Sequence, residues 1–334
     1  MRGIFLGILG FVVVVILIPF IILTSCDLNI LPRQTGGQRD VIESDLRVTV
    51  YNHETKEIMN MYLEDYITNV VAAEMPAAFE LEALKAQAIA ARTFALWRYV
   101  NHGNNGHPEH PGAVLCTSHT HCQEWLSDEE ILKRHGQKWM EDYWKKIEEA
   151  VSSTTGVVMT YDMKPIEPLY HSTSGGATEN SEDVFASAVP YLRSVSSPYE
   201  QGSPVLVDSK EVSVKEFISK LKDENKAIKI KERNLQSQIK IMSRTQGGTI
   251  KEIQIGDQIF SGSQIRRMFE LRSGDFNVDV KGNTLEFTTR GYGHGVGMSQ
   301  WGANGMAKQG SKFEDILSHY YQGVTLSKIK SYRE

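Results

Sequence analysis

The residue in this chain best suited to acid–base chemistry is Glu74, set in the run Val70-Val71-Ala72-Ala73-Glu74-Met75-Pro76. A carboxyl among apolar side chains holds its proton near neutral pH, because desolvation penalises the charged form. A protonated carboxyl is what general-acid catalysis needs. Pro76 disfavours helical geometry at Met75, which places Glu74 at the end of a helix, facing a turn. A helix-end glutamate facing solvent is the alternative. Downstream, Lys85 and Arg92 are seven residues apart and share one helix face. They are expected to line a groove for a polar, anionic polymer, with a solvated helix face as the alternative. The segment Tyr170-His171-Ser172-Thr173-Ser174-Gly175-Gly176 combines an aromatic ring, an imidazole, hydroxyls and a Gly-Gly pair at a strand end. Stacking, hydrogen bonding and close backbone approach suit a sugar site. No nucleophile-elbow motif accompanies these hydroxyls.

A second chemistry is written between Asn101 and Cys122. His107, His110, Cys116, His119, His121 and Cys122 fall within sixteen residues, a density that packing does not explain. Zinc takes four nitrogen or sulfur ligands in a tetrahedron, and His110, Cys116, His121 and Cys122 are the expected set. A full complement of protein ligands implies a structural zinc that pins the loop. A Cys116–Cys122 disulfide is the alternative. Further on, glycines 291, 293, 295 and 297 alternate with other residues in Arg290-Gly291-Tyr292-Gly293-His294-Gly295-Val296-Gly297. This is not the dinucleotide-binding spacing. It brings backbone close to backbone or ligand and projects Tyr292 and His294 from a strand edge.

The elements that must position these groups follow from periodicity. Leu46–Tyr51 alternates as a strand and returns through Asn52–Thr55 to Glu57–Met59. Leu63–Ala73 and Glu80–Val100 have helical spacing, the second with alanines suited to close packing. Asp128–Ser152 reads as one helix with Ile131, Trp139, Tyr143, Trp144 and Ile147 as buried positions. Val157–Tyr161 and Ile166–His171 read as a hairpin across Asp162-Met163-Lys164. The lysine-rich stretch Ser203–Phe276 changes character and reads as an inserted subdomain without visible chemistry. Thr284–Thr289 reads as a strand, followed by a helix to Gly310 and a last helix to Gly323.

The 334 residues are 41% hydrophobic with a net charge of −5, which allows one large or two modest domains and argues against nucleic-acid binding. Ile4–Thr24 is almost wholly apolar, with Arg2 before it and Asp27 after it, and is long enough to cross a bilayer. Ile22-Leu23-Thr24-Ser25-Cys26 also looks like a lipobox; both readings tether the folded part outside the cytoplasm. The expected fold is α+β, a mixed core of helices and short antiparallel sheets with an inserted subdomain, plus one N-terminal transmembrane helix. Its expected parts are an anchor at 1–26, a linker at 27–45, a core at 46–200, the insert at 201–280 and the returning core at 281–334.

Glu74-Met75-Pro76, the helix through Lys85 and Gln87 to Arg92-Thr93, the Tyr170–Gly176 segment and the run Gly293–Ala303 together resemble the stage II sporulation protein D family. The resemblance runs from about Leu46 to Gly323. It implies a peptidoglycan lytic transglycosylase of the sporulation septum, working on glycan strands during engulfment beside a membrane-bound amidase/endopeptidase and a polytopic membrane protein. It implies Glu74 as acid and base, and Lys85, Arg92, Tyr170, His171 and Ser174 as groove residues. Direct reading adds Ser172, Gly175 and His294. The zinc site of some members fits Cys116 and its neighbours. Most glycosidases need two carboxylates. A transglycosylase manages with one, which protonates the glycosidic oxygen and then deprotonates the C6 hydroxyl that closes a 1,6-anhydro ring. Two other readings compete. One is a non-catalytic wall-binding scaffold that stimulates an amidase, as in the related amidase enhancers. The other is a zinc-dependent hydrolase, which lacks the helical H-E-x-x-H motif.

Overall fold

Alanine spacing decides the centre of the molecule. In the computed structural model, which describes residues 46–103, 106–185 and 187–329, the helix Leu81–His102 is buried nearly all round. Ala83, Ala86, Ala88, Ala90, Ala91 and Ala95 let neighbours approach on every side. Against it pack the helices Leu63–Glu74, Gln137–Ser152, Gln300–Lys308 and Phe313–Tyr320 and the strand Val157–Tyr161. The apolar stretch 4–24, Cys26 and the linker lie outside the described residues. Among the described residues no helix is long and apolar enough to cross a membrane.

The architecture is mixed α/β, with helices and short sheets. Arg47–Tyr51 and Ile58–Tyr62 form the expected antiparallel hairpin, with Val50 opposite Met59. Two pairings are parallel rather than antiparallel. Leu115–Cys116 adds to Arg47–Tyr51, with Tyr51 opposite Cys116, and Tyr170–His171 pairs with Met298–Ser299. The expected Val157–Tyr161/Ile166–His171 hairpin is cut short. Only Lys164–Pro165 returns along Val157–Tyr161, and Thr325–Lys328 takes the other edge. Pro165 and Pro168 lack the amide protons a longer ladder would need. The Asp128–Ser152 helix is two helices, Asp128–His135 and Gln137–Ser152, because Gly136 sits at φ +85°.

A second hydrophobic core occupies the insert, where Phe217, Phe269, Phe276 and Phe287 stack together. The strand Thr284–Arg290 is grouped with the C-terminal part in the sequence reading. In the structure it is the central strand of the insert's sheet, between Phe276–Lys281 and Val207–Ser213.

Arg92 is part of the packing, not of a groove. Its side chain is 0% exposed and forks onto the Glu64 carboxylate, with Nη2 at 2.6 Å and Nε at 2.9 Å. Nη1 donates to the Val157 carbonyl at 3.1 Å. One guanidinium therefore ties the start of the Glu74 helix, the alanine-rich helix and the strand Val157–Tyr161 together. Arg92→Ala strands a carboxylate and a carbonyl, and we expect it to lower stability by about 3–5 kcal/mol in denaturant unfolding. Arg92→Lys should recover only part of this, since an ammonium cannot fork. A loss within ~0.5 kcal/mol would remove Arg92 from this role.

Candidate active site

The helix Leu63–Glu74 stops where Pro76 requires it. Met75 is extended at φ −126°, ψ 136°, and the Pro76–Phe79 turn leads to the next helix. Glu74 is thereby left at a helix C-terminus, half-buried at the wall of a cleft of about 900 Å³. Burial pushes its carboxyl up from 4.5 to about 7. The backbone N–H of Glu124 donates to Glu74 Oε1 at 2.7 Å and pulls in the opposite direction, as does the Tyr170 hydroxyl. The Glu124 carboxylate adds to the upward push but is itself paired with Arg134 at 2.7 Å.

Tyr170, His171, Ser172 and His294 all line this cleft. The glycine run explains how. A Cβ on Gly293, at φ +119°, would lie 2.7 Å from His171 Cβ, and one on Gly297 would lie 2.0 Å from the Leu169 carbonyl oxygen. Only glycine lets this loop close over the strand that carries Tyr170 and His171. The Tyr170 hydroxyl donates to Gln123 Oε1 at 2.9 Å. His171 is buried and donates from Nδ1 to the Val296 carbonyl at 3.2 Å, while its Nε2 has no partner among the described residues. Desolvation lowers His171 to about 3 and His294 to about 4, so both rings are neutral near pH 7. Their centroids lie 5.7 Å apart.

The structure does not bring every expected groove residue here. Lys85 pairs with Glu82 at 2.9 Å on its own helix, outside the cleft lining, and Arg92 is buried as described above. An i,i+7 pair reports a shared face but not what covers that face. Ser174 and Gly175 line a small cavity toward the insert, beside Glu179 and Asp275, rather than the cleft.

His110, Cys116, His121 and Cys122 come together, with donor atoms within 4.8 Å of one another. His121 Nδ1 lies 3.3 Å from His110 Nε2 and 3.4 Å from each sulfur. A tetrahedral ion with ordinary bond lengths separates its ligands by about 3.3–3.8 Å, which the three spacings from His121 match. Both cysteines are free thiols rather than a disulfide. Arg98 Nη2 donates to Cys122 Sγ at 3.3 Å.

Sequence reasoning missed several cleft groups. Trp139 and Tyr143, expected in the core from their helical spacing, pack against it on one side and line the cleft on the other. Trp301 lines it too, braced edge-on by Phe79 at 4.7 Å. Glu124 contributes its backbone, which no side-chain pattern reveals. Glu200, a fully buried acid also raised to about 7, lies outside the cleft and accepts hydrogen bonds from Ser197 Oγ at 2.7 Å and Ser299 Oγ at 3.0 Å.

The stage II sporulation protein family profile matches residues 51–161. Stage II sporulation protein D of Bacillus amyloliquefaciens is 40% identical over 90% of this chain and 84% of its own length. The chain belongs to the stage II sporulation protein D family. The Bacillus subtilis (strain 168) member is also 40% identical, over 89% of this chain and 83% of its own. More distantly, the amidase enhancer of Bacillus subtilis (strain 168) is 27% identical over 78% of this chain but only 40% of its own length. In this family member the profile's span holds Glu74 and the His/Cys cluster, while the Tyr170 strand and the glycine run lie beyond it.

The raised carboxyl has a consequence for stability. Between about pH 4.5 and about pH 7 the unfolded chain has lost a proton that folded Glu74 keeps, so the unfolded state binds fewer protons. The stabilisation that the protonated group provides is therefore complete below 4.5 and fades as pH rises through about 7. Glu74→Gln should flatten this decline by up to about 3 kcal/mol in unfolding measured across the window. A decline identical to that of the parent would show that Glu74 titrates as an ordinary carboxyl.

Proposed function

We propose that the chain is a lytic transglycosylase of peptidoglycan glycan strands, acting on peptide-stripped strands at the sporulation septum during engulfment. The observation that carries this reading is one carboxyl that burial raises to about 7, in an aromatic-lined cleft whose other carboxylate, Glu124, is paired with Arg134. In its protonated form Glu74 gives its proton to the glycosidic oxygen between N-acetylmuramic acid and N-acetylglucosamine. The resulting carboxylate takes the proton of the muramic C6 hydroxyl, whose oxygen closes on C1 to a 1,6-anhydro ring. No water is consumed, so no second catalytic carboxylate is needed. Tyr170 and neutral His171 and His294 are suited to hydrogen bonding sugar hydroxyls and acetamido groups.

A zinc ion held by His110, Cys116, His121 and Cys122 would fix the loop leading into Gln123 and Glu124. Four protein ligands leave it no open position, so its contribution is structural. The N-terminal apolar stretch would tether the enzyme outside the cytoplasm, within reach of a membrane-bound amidase/endopeptidase and a polytopic sporulation membrane protein. Likeness to an amidase enhancer favours a second reading, in which the cleft binds glycan without cutting it and stimulates an amidase.

Mass spectrometry of products from purified murein strands separates the two readings. The parent should release 1,6-anhydro ends, and Glu74→Gln should lower their yield at least about 100-fold while the fold is retained. Undiminished anhydro products in that variant would remove Glu74 as the acid, and glycan binding without any cleavage by the parent would favour the scaffold. For the metal, elemental analysis should find one zinc per chain. Cys116→Ser should lose it and lower the melting temperature, and a metal-free parent of equal stability would exclude the structural role.

A further inference from the structure

Trp139 and Tyr143 stand one turn apart on the helix Gln137–Ser152, both half-buried and both facing the cleft. Their ring centroids are 5.9 Å apart. His135, the last residue of the preceding helix, lies flat against the Trp139 indole at 4.5 Å with an interplanar angle of 16°. The three rings make a short ladder along one wall.

This ladder is fixed at both ends to the segments that hold Glu74. Next to His135, Arg134 pairs with the carboxylate of Glu124, whose amide binds the Glu74 carboxyl. One turn beyond Tyr143, Lys146 donates to the carbonyls of Ala77 and Phe79, in the turn that follows Glu74. Both rings pack against the core on one side and leave the other side to the cleft, where a ligand ring can lie against them. The faces of pyranose rings carry axial C–H groups that stack on indole and phenol, and successive sugars in a glycan present such faces at intervals comparable to a helical turn.

We propose that Trp139 and Tyr143, with His135 backing the indole, form a stacking platform for sugar rings on one side of the bond at Glu74, making the site selective for extended strands over short fragments. The inference rests on the glycan-cleaving reading above and adds which wall grips the polymer. His135 contributes by holding the indole, so it is a positioning residue.

The test uses Glu74→Gln as parent, so that bound strands survive, and measures affinity for peptide-free murein strands and for a single disaccharide. Trp139→Ala should weaken binding of long strands about tenfold and leave the disaccharide little changed. Trp139→Phe should recover most of the loss, whereas Trp139→Leu, which fills space without a ring face, should not. In the active chain, Trp139→Ala should raise KM for strands with kcat nearly unchanged. Equal affinity for Trp139→Ala and the parent, or recovery by Leu as full as by Phe, would overturn the platform while leaving the cleavage reading intact. A parent that binds no strands at all would overturn both. The Phe and Leu variants keep the comparison decisive should the Ala variant fail to fold.

Discussion

The hydrogen bond from the Glu124 amide to the Glu74 carboxyl, at 2.7 Å, is the interaction on which the rest of the site depends. Desolvation alone favours a protonated, inert acid, and an amide donor offsets it by stabilising the charged form. The donor is placed by three consecutive residues with separate duties. Cys122 belongs to the His/Cys cluster, Gln123 accepts the Tyr170 hydroxyl, and Glu124 presents its N–H. The cluster is in turn tied to the hairpin sheet through Cys116 opposite Tyr51. A loop rich in glycine, asparagine and proline thus delivers a backbone donor to a buried acid because its cysteines and histidines hold it in one place.

The alanine-rich helix supplies the other half of that rigidity. Along it, polar side chains sit where an apolar residue would pack as well. Arg92 binds Glu64 and Val157, Thr93 Oγ1 accepts from the Met159 amide at 2.9 Å, and Gln87 Oε1 accepts from Gln300 Nε2 at 3.4 Å. Apolar contact is non-directional. Each polar strut accepts one partner geometry, so the helices and strands bordering the cleft are fixed in register as well as in proximity. The segment that reads in sequence as a substrate grip is, in space, the frame of the site.

This distinction marks what the sequence could and could not disclose. Glu74 was legible because an acid in an apolar run before a proline has few structures open to it. The convergence of His110, Cys116, His121 and Cys122 was legible because imidazoles and thiols crowded one loop. Arg92 and Lys85 were not, since helical spacing reveals a face but not its partner, and a buried Arg–Glu pair has the same periodicity as an exposed one. Trp139 and Tyr143 were legible as residues that pack against the core, but not as residues that also line the cleft. Helical spacing shows that they share a face, but not that the cleft opens along its margin. The parallel pairing of Tyr170–His171 with Met298–Ser299 joins segments more than 120 residues apart, beyond the reach of local pattern. The hairpin that local pattern suggested lost to two prolines.

The position of Glu74 on its helix completes the electrostatic account. It is the last residue of twelve, at the end where the backbone carbonyls gather partial negative charge, and no basic residue lies in that final turn. Helix end and burial therefore both favour the proton, while the Glu124 amide and the Tyr170 hydroxyl both favour the charge. The balance falls at about 7. A carboxyl that only had to remain neutral would not need the Glu124 amide. In the proposed reaction Glu74 would give up a proton and recover one within a single turnover, for which a group with neither state strongly preferred is best suited.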